Sequence, residues 1–232
     1  MRPGRRAASA KVVRSRNHKN SPNDAKPAWK PKPMKTKSGH PVQRVRIDEL
    51  SPLIATYFEI NQLKQLYRQG WLQRGVSPDQ CESVADHVFA VTILAIFIAD
   101  AHFPDLDSHR IARMAILHDI GEIYAGDITP QDDVDSTEKY RRESESVARV
   151  LAKLPQGQTY IEIWQEYETQ STPEARFVRQ IDRLEMALQA KAYELDDDAP
   201  CLTEFIDCAD GAIDLPQLQA MITELRSLAP GT

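Results

Sequence analysis

The sequence predicts an all-α fold, a bundle of about six or seven helices, and three observations carry that expectation. Apolar residues recur at helical spacing from residue 51 onward. Proline and short polar side chains stand where helices begin. Strand-like alternation and internal repeats are absent.

The elements follow in order. Ser51 before Pro52 is an N-cap with proline at the first helical position, and Leu53, Ile54, Tyr57, Phe58, Leu63, Leu66 and Tyr67 give an interrupted apolar stripe. Gly70 and Gly75 mark a turn, and Ser77-Pro78 opens the approach to an apolar helix over about 82–102. Asp107 or Ser108 caps the next helix, whose buried side carries Ile111, Met114, Ala115, Leu117 and Ile120. Asp135 with Glu138 forms a capping box before a helix ending near Leu154. Thr172-Pro173 starts another, running to about Leu195, with Phe177, Val178, Ile181, Leu184 and Leu188 as its packing face. A last amphipathic helix spans 215–228.

A chain of 232 residues with 41% apolar and 27% charged side chains suits one packed domain and a tail. The longest uncharged apolar run, Val88 to Ala99, is bounded by His87 and Asp100. It falls short of the roughly 20 residues a membrane span needs, so it reads as a buried core helix. Three scattered cysteines (Cys81, Cys201, Cys208) exclude a disulfide framework or structural zinc site and suggest a reducing compartment. No secretory apolar segment is present, and the expected location is cytoplasmic.

The net charge of −5 conceals an asymmetry: residues 1–46 hold 14 Lys and Arg against the single acid Asp24, and the rest holds 15 basic and 33 acidic side chains. Residues 1–46, rich in Pro, Ser and Asn without an apolar period, read as a disordered basic tail, and 47–232 as the folded domain. Three roles suit such a tail: a solvated extension, a tether to nucleic acid or another acidic surface, or an organelle transit peptide.

The residues that carry chemistry interrupt the apolar pattern. His118 and Asp119 stand together at the end of an apolar helical run, where burial is costly unless each is paired or metal-bound. Glu122 follows at helical spacing, Gly121 keeps the surface open, and Gly126 turns the chain so that Asp127 can point back. His87 opens the most apolar helix, and Asp182 lies between packing residues. Two imidazoles and two carboxylates suit a divalent ion with positions left for water and substrate. Hydrogen-bonded core histidines and an ion pair of Asp182 with Arg179 or Arg183 are the competing explanation.

The order His87…His118-Asp119…Asp182 resembles the HD phosphohydrolase superfamily. The stretches 63–76, 82–87, 118–130, 166–178 and 180–190 resemble its 5′-deoxynucleotidase branch, the YfbR-like proteins and their eukaryotic HD-domain-containing relatives. The similarity spans about residues 50–195 and leaves the tail unmatched. It implies that His87, His118, Asp119 and Asp182 bind a divalent cation (Mn²⁺, Co²⁺, Mg²⁺ or Zn²⁺). Glu122 and Asp127, with the Ile128 carbonyl, would hold a second ion or orient the attacking water. Glu122 and Asp119 would be catalytic, Arg68 would contact phosphate and Trp71 the nucleoside, and Asp127, Thr129 and Pro130 would border the substrate. Smaller bacterial members place arginine and tryptophan side by side; here Gln69 and Gly70 intervene, and Arg74 is an alternative phosphate partner. The implied reaction is metal-dependent hydrolysis of a (deoxy)nucleoside 5′-monophosphate by a homodimer. Two other functions compete: hydrolysis of a cyclic nucleotide or nucleoside triphosphate, and nucleic-acid binding or scaffolding through the tail. Dinuclear phosphodiesterases of the superfamily use further histidines after the His-Asp pair, and this chain has none after His118.

Overall fold

Helical punctuation is obeyed where a side chain supplies it. In the computed structural model, which describes Met1, residues 34–196 and residues 200–228, ten α-helices and no strand are found among the described residues. They are α1 (Pro52–Ile60), α2 (Gln69–Gln73), α3 (Val84–His102), α4 (Ser108–Leu117), α5 (Glu122–Ala125), α6 (Ser136–Leu151), α7 (Gly157–Thr169), α8 (Pro173–Glu194), α9 (Thr203–Ala212) and α10 (Pro216–Ser227). The chain divides into Met1–Lys32 and Pro33–Thr232, and all ten helices belong to the second unit.

Asp107, Asp135 and Thr172 cap α4, α6 and α8 by accepting from backbone N–H groups of the first turn. Ser83 and Asp86 form a reciprocal capping box that fixes where α3 begins. The bundle exceeds the expected six or seven members because α2, α5, α7 and α9 begin without a side-chain cap, at Arg68, Gly121, Gln156 and Leu202, and so carry no start signal. Helix α4 stops at Leu117 instead of continuing through Ile120; residues 118–121 form a turn that leads into α5.

Two apolar clusters fill the interior. The larger joins Val91, Ala95 and Ile98 of α3 to Ile111 and Met114 of α4, Phe177, Ile181 and Leu184 of α8, and the inner faces of α9 and α10. The smaller gathers Leu63, Leu66, Val84, Val88, Ile120, Ile123, Val147, Val150, Leu151 and Trp164. Leu117 packs against both, so the His118-Asp119 turn leaves α4 at the seam between them. Trp164 is buried there and donates Nε1–H to the His118 carbonyl at 3.1 Å, which ties α7 to that turn.

Three expectations are corrected. The apolar stripe of α1 does not pack: Leu53, Ile54 and Tyr57 are exposed, and the buried side carries Ala55, Thr56 and Glu59. Polar partners turn it inward, since Thr56 Oγ1 donates to the Val150 carbonyl, Tyr124 Oη donates to Glu59 and Lys153 pairs with it. Helix α3 spans 19 residues and, by length and composition, is apolar enough to cross a membrane. Nor is it buried all round. One face, with Val84, His87, Val88, Val91, Ala95, Ile98 and Ala99, lies in the core, while Phe89 and Phe97 face outward, 66% and 64% exposed.

The third correction is the domain start. Residues 34–46, assigned by composition to the tail, lie against the domain: Thr36 bridges Leu66, Lys37 N–H donates to the Gln65 carbonyl at 2.7 Å, and Gln69 Nε2 donates to the Lys35 carbonyl at 3.0 Å. Backbone pairing there needs no apolar period and so leaves no compositional trace. The expectation of disorder for the remainder of the tail falls on residues 2–33, outside the described residues.

Replacing Trp164 by Phe keeps the apolar filling and leaves the buried His118 carbonyl without its donor. The change should lower unfolding free energy by about 1–3 kcal/mol in urea titrations; an unchanged midpoint would show that the bond does not anchor the turn.

Candidate metal centre and its cavity

Four polar side chains from three regions of the bundle meet at the seam. His87 comes from the first turn of α3, His118 from the C-cap of α4, Asp119 from the turn after it, and Asp182 from the middle of α8. The two imidazole Nε2 atoms are 3.4 Å apart. Asp119 Oδ2 lies 3.2 Å from His118 Nε2 and 3.6 Å from His87 Nε2, and Asp182 Oδ1 lies 3.2 Å from His87 Nε2. Such spacings are those of donor atoms sharing one cation at about 2.1 Å.

The tautomers agree. His87 Nδ1 donates to Glu185 Oε2 at 2.6 Å and His118 Nδ1 donates to the Ala115 carbonyl at 2.7 Å, so each ring, in the neutral form that binds a metal, would turn its Nε2 lone pair to the common point. Asp119 Oδ2 is buried without a hydrogen-bond donor. A buried, unpartnered carboxylate oxygen beside two imidazole Nε2 atoms favours a positive charge among them. The residues present therefore fit a divalent cation.

The electrostatics point the same way. Burial alone would raise the Asp119 pKa, yet His118 and Arg68 hold it well below the usual carboxylate range. Burial and Arg68 oppose charge on His87, but hydrogen bonds to Asp182 and Glu185 prevail and raise its pKa to about 10. A field that holds a proton on His87 this firmly will accept a metal ion in the proton's place.

Beside this centre lies a second carboxylate group. Glu122 is buried, its Oε2 has no hydrogen-bond partner, and burial, Asp119 and Asp127 together push its pKa well above the ordinary carboxylate value. Asp127 accepts from Gln69 N–H at 2.5 Å and from Arg68 Nη1 at 3.2 Å. Arg68 Nη1 also stands 3.7 Å from Asp119 and 3.9 Å from Glu122, so one guanidinium faces Asp119 together with the two side chains, Glu122 and Asp127, expected around a second ion. Gly121 is required where this turn meets α6: a Cβ there would lie 2.9 Å from Glu143 Cβ.

A family model described as "HD domain" matches residues 60–211. The chain belongs to the HD-domain family. Proteins named 5′-deoxynucleotidase HDDC2 from Bos taurus and Homo sapiens are 39% and 38% identical over 171 residues, which is 72% of this chain and 81% of theirs. Among solved structures, a conserved hypothetical protein from Pyrococcus furiosus aligns with a TM-score of 0.62 at 29% identity, over 75% of this chain and 99% of its own. A predicted metal-dependent phosphohydrolase from Magnetospirillum magnetotacticum aligns with a TM-score of 0.59 at 30% identity, over 75% and 89%.

In this HD domain the residues expected to touch substrate part company. Trp71 is buried in the core at 2% exposure, its Nε1 donates to Glu82 at 2.7 Å, and its ring packs on Phe205 and Tyr193. With its indole enclosed and its N–H taken, Trp71 has no face left for a nucleoside. Arg74 pairs with Glu204 on the surface. Thr129 is tied to Gln73 and to Asp132 across a short turn, Pro130 is exposed, and Ile128 is buried.

A cavity of about 160 Å³ opens beside His118, Asp119 and Glu122, walled by α6, α7 and α8 with Lys139, Glu143, Tyr167 and Arg179. Sequence reasoning did not single out Glu185, Tyr167 or Lys139. Glu185 carried a usable signal, a carboxylate between Leu184 and Met186 three residues after Asp182. Tyr167 donates to Asp182 Oδ2 at 3.1 Å and holds that carboxylate from the opposite side.

Changing Glu185 to Gln removes the charge that fixes His87 and should weaken Mn²⁺ affinity by about 10- to 100-fold. Metal titration of the metal-free protein reads this directly; affinity equal to the parent would deny His87 a place in the centre.

Proposed function

We propose that this HD domain hydrolyses (deoxy)nucleoside 5′-monophosphates to nucleoside and inorganic phosphate with the aid of a divalent cation. The reading is carried by one observation: two imidazole Nε2 atoms and the carboxylates of Asp119 and Asp182 converge beside a cavity that contains further cations. The names of the HDDC2 relatives, at 38–39% identity, support the substrate class. His87, His118, Asp119 and Asp182 would hold the ion, with Mn²⁺ or Co²⁺ as first candidates and Mg²⁺ or Zn²⁺ as others. When bound, the cation supplies charge neutralisation for the phosphomonoester and lowers the pKa of water from 15.7 toward about 7.

The chain's own groups do the rest. Asp119 and Asp182 fix the face on which the phosphate is presented, and Glu185 and the Ala115 carbonyl keep both imidazoles correctly tautomerised. Glu122, whose pKa is raised by burial and by the nearby Asp119 and Asp127, lies three residues from Asp119, placed to pass a proton to the departing 5′-oxygen. The bond broken is phosphorus to 5′-oxygen; water supplies the oxygen of inorganic phosphate and the proton that returns to Glu122. Arg68 is read as the fixed counter-charge to Asp127, Asp119 and Glu122 in place of a second ion. Cyclic-nucleotide or triphosphate hydrolysis is the less favoured reaction, since no histidine follows His118.

A second copy of the chain is the partner best suited to the outer face of α3. Phe89, Ile93 and Phe97 recur at four-residue spacing in a stretch without charge, so the face can meet its own copy about a two-fold axis. Changing Phe89 and Phe97 to Glu should convert a dimer to a monomer in sedimentation analysis; a monomeric parent would refute the pairing.

Purified protein with Mn²⁺ or Co²⁺ should release phosphate from a panel of dAMP, dGMP, dCMP and dTMP, and Asp119→Ala should abolish release. Undiminished turnover after EDTA would refute the metal role. Glu122→Ala should lower turnover by about 100- to 10,000-fold with Mn²⁺ content retained; loss of metal first would make Glu122 chiefly a ligand.

A further inference from the structure

The cavity beside the centre holds two cations that the assignments above leave without a role. Lys139 enters it from α6 and Arg179 from α8. Arg68 and Arg74 are both already engaged, the first by three carboxylates and the second by Glu204. Arg179 differs. Its guanidinium lies over the Tyr167 ring, 4.1 Å from the centroid, and its Nε is buried without a partner. Only Nη2 reaches a carboxylate, Glu168, at a long 3.4 Å.

Lys139 Nζ forms an ion pair with Glu143 at 3.6 Å, longer than a hydrogen bond, so its N–H donors are not taken up by that carboxylate. Both cations line the same cavity as His118 and Asp119. A guanidinium stacked on a buried phenol is held in one orientation before any ligand arrives, which reduces the entropy cost of binding.

We propose that Lys139 and Arg179 form the phosphate subsite of this HD domain, gripping the anionic oxygens of the phosphomonoester from the two walls of the cavity, in the role that the family resemblance implied for Arg68. The subsite rests on the phosphomonoester reading of the centre. It divides the labour between cations: Arg68 stabilises the carboxylate cluster, and Lys139 and Arg179 meet the substrate. Tyr167 serves both groups, stacking on Arg179 while its hydroxyl orients Asp182, so the phosphate grip and the metal ligand share one rigid support.

The test is titration of the Mn²⁺-loaded full chain with inorganic phosphate by calorimetry, alongside kinetics on nucleoside monophosphates. Lys139→Gln and Arg179→Gln should each weaken phosphate binding by about tenfold, and the double variant by about a hundredfold. Metal content should stay at the parent value. Lys139→Arg, which keeps the charge, should recover most of the affinity, and Arg179→Lys, which keeps the charge but loses the stacked plane, only part of it, which separates loss of charge from loss of fold. A double variant that binds phosphate within twofold of the parent overturns the subsite. If phosphate affinity depends on these residues while no nucleoside monophosphate is turned over, the subsite stands and the reaction assigned to the centre falls.

Discussion

A buried carboxylate oxygen without a donor, Asp119 Oδ2, sets the terms for everything around it. Burial drives a carboxylic acid toward its neutral form, yet His118 and Arg68 keep this one ionised. The remaining imbalance is met by the two Nε2 atoms that converge on it and, when present, by the cation they share. Glu122, three residues on, experiences the opposite balance and is pushed toward protonation by its carboxylate neighbours. Two acids one helical turn apart are thus tuned in opposite directions, the condition under which one can act as a ligand and the other as a proton donor.

The fold serves this arrangement by dividing its core. Helix α3 lends residues to both apolar clusters, and Leu117 touches both, so the chain can place polar groups at the seam without opening either. Adjacent side chains on a continuous helix diverge by about 100°. The chain leaves α4 at His118 and turns through residues 118–121, and Trp164 and Gly121 hold that turn against α7 and α6. Packing, not local propensity, decides where α4 ends.

Much of the candidate centre was legible in sequence because polar residues within apolar helical runs violate the burial pattern. His87, the His118-Asp119 pair and Asp182 each did so, and the structure brings them together. Glu185 violated the pattern equally and was passed over, since a carboxylate beside an arginine-rich stretch resembles an ordinary ion-pair member. Trp71 misled in the other direction: an aromatic after a turn suits a ligand wall, and only the positions of Glu82, Phe205 and Tyr193 show that it is enclosed. Lys139 left no trace and Arg179 entered only as an ion-pair partner for Asp182, because a cation on an amphipathic helix reads as solvent-facing or paired until the opposing wall is known.

The sequence by itself determined the fold class, the capped starts of α4, α6 and α8, and the identities of the four converging donors, all of which depend on local spacing and on the cost of burying unpaired polar groups. Tertiary structure alone decided which cations face the cavity and which are consumed by neighbouring carboxylates, which side of α1 packs, and how far the chain before residue 47 joins the domain. The physical reason is distance. Caps and helical stripes are set by residues three or four apart in the chain, whereas the partner of Arg68 lies 59 residues away and the charge state of each site group depends on neighbours the sequence does not place beside it.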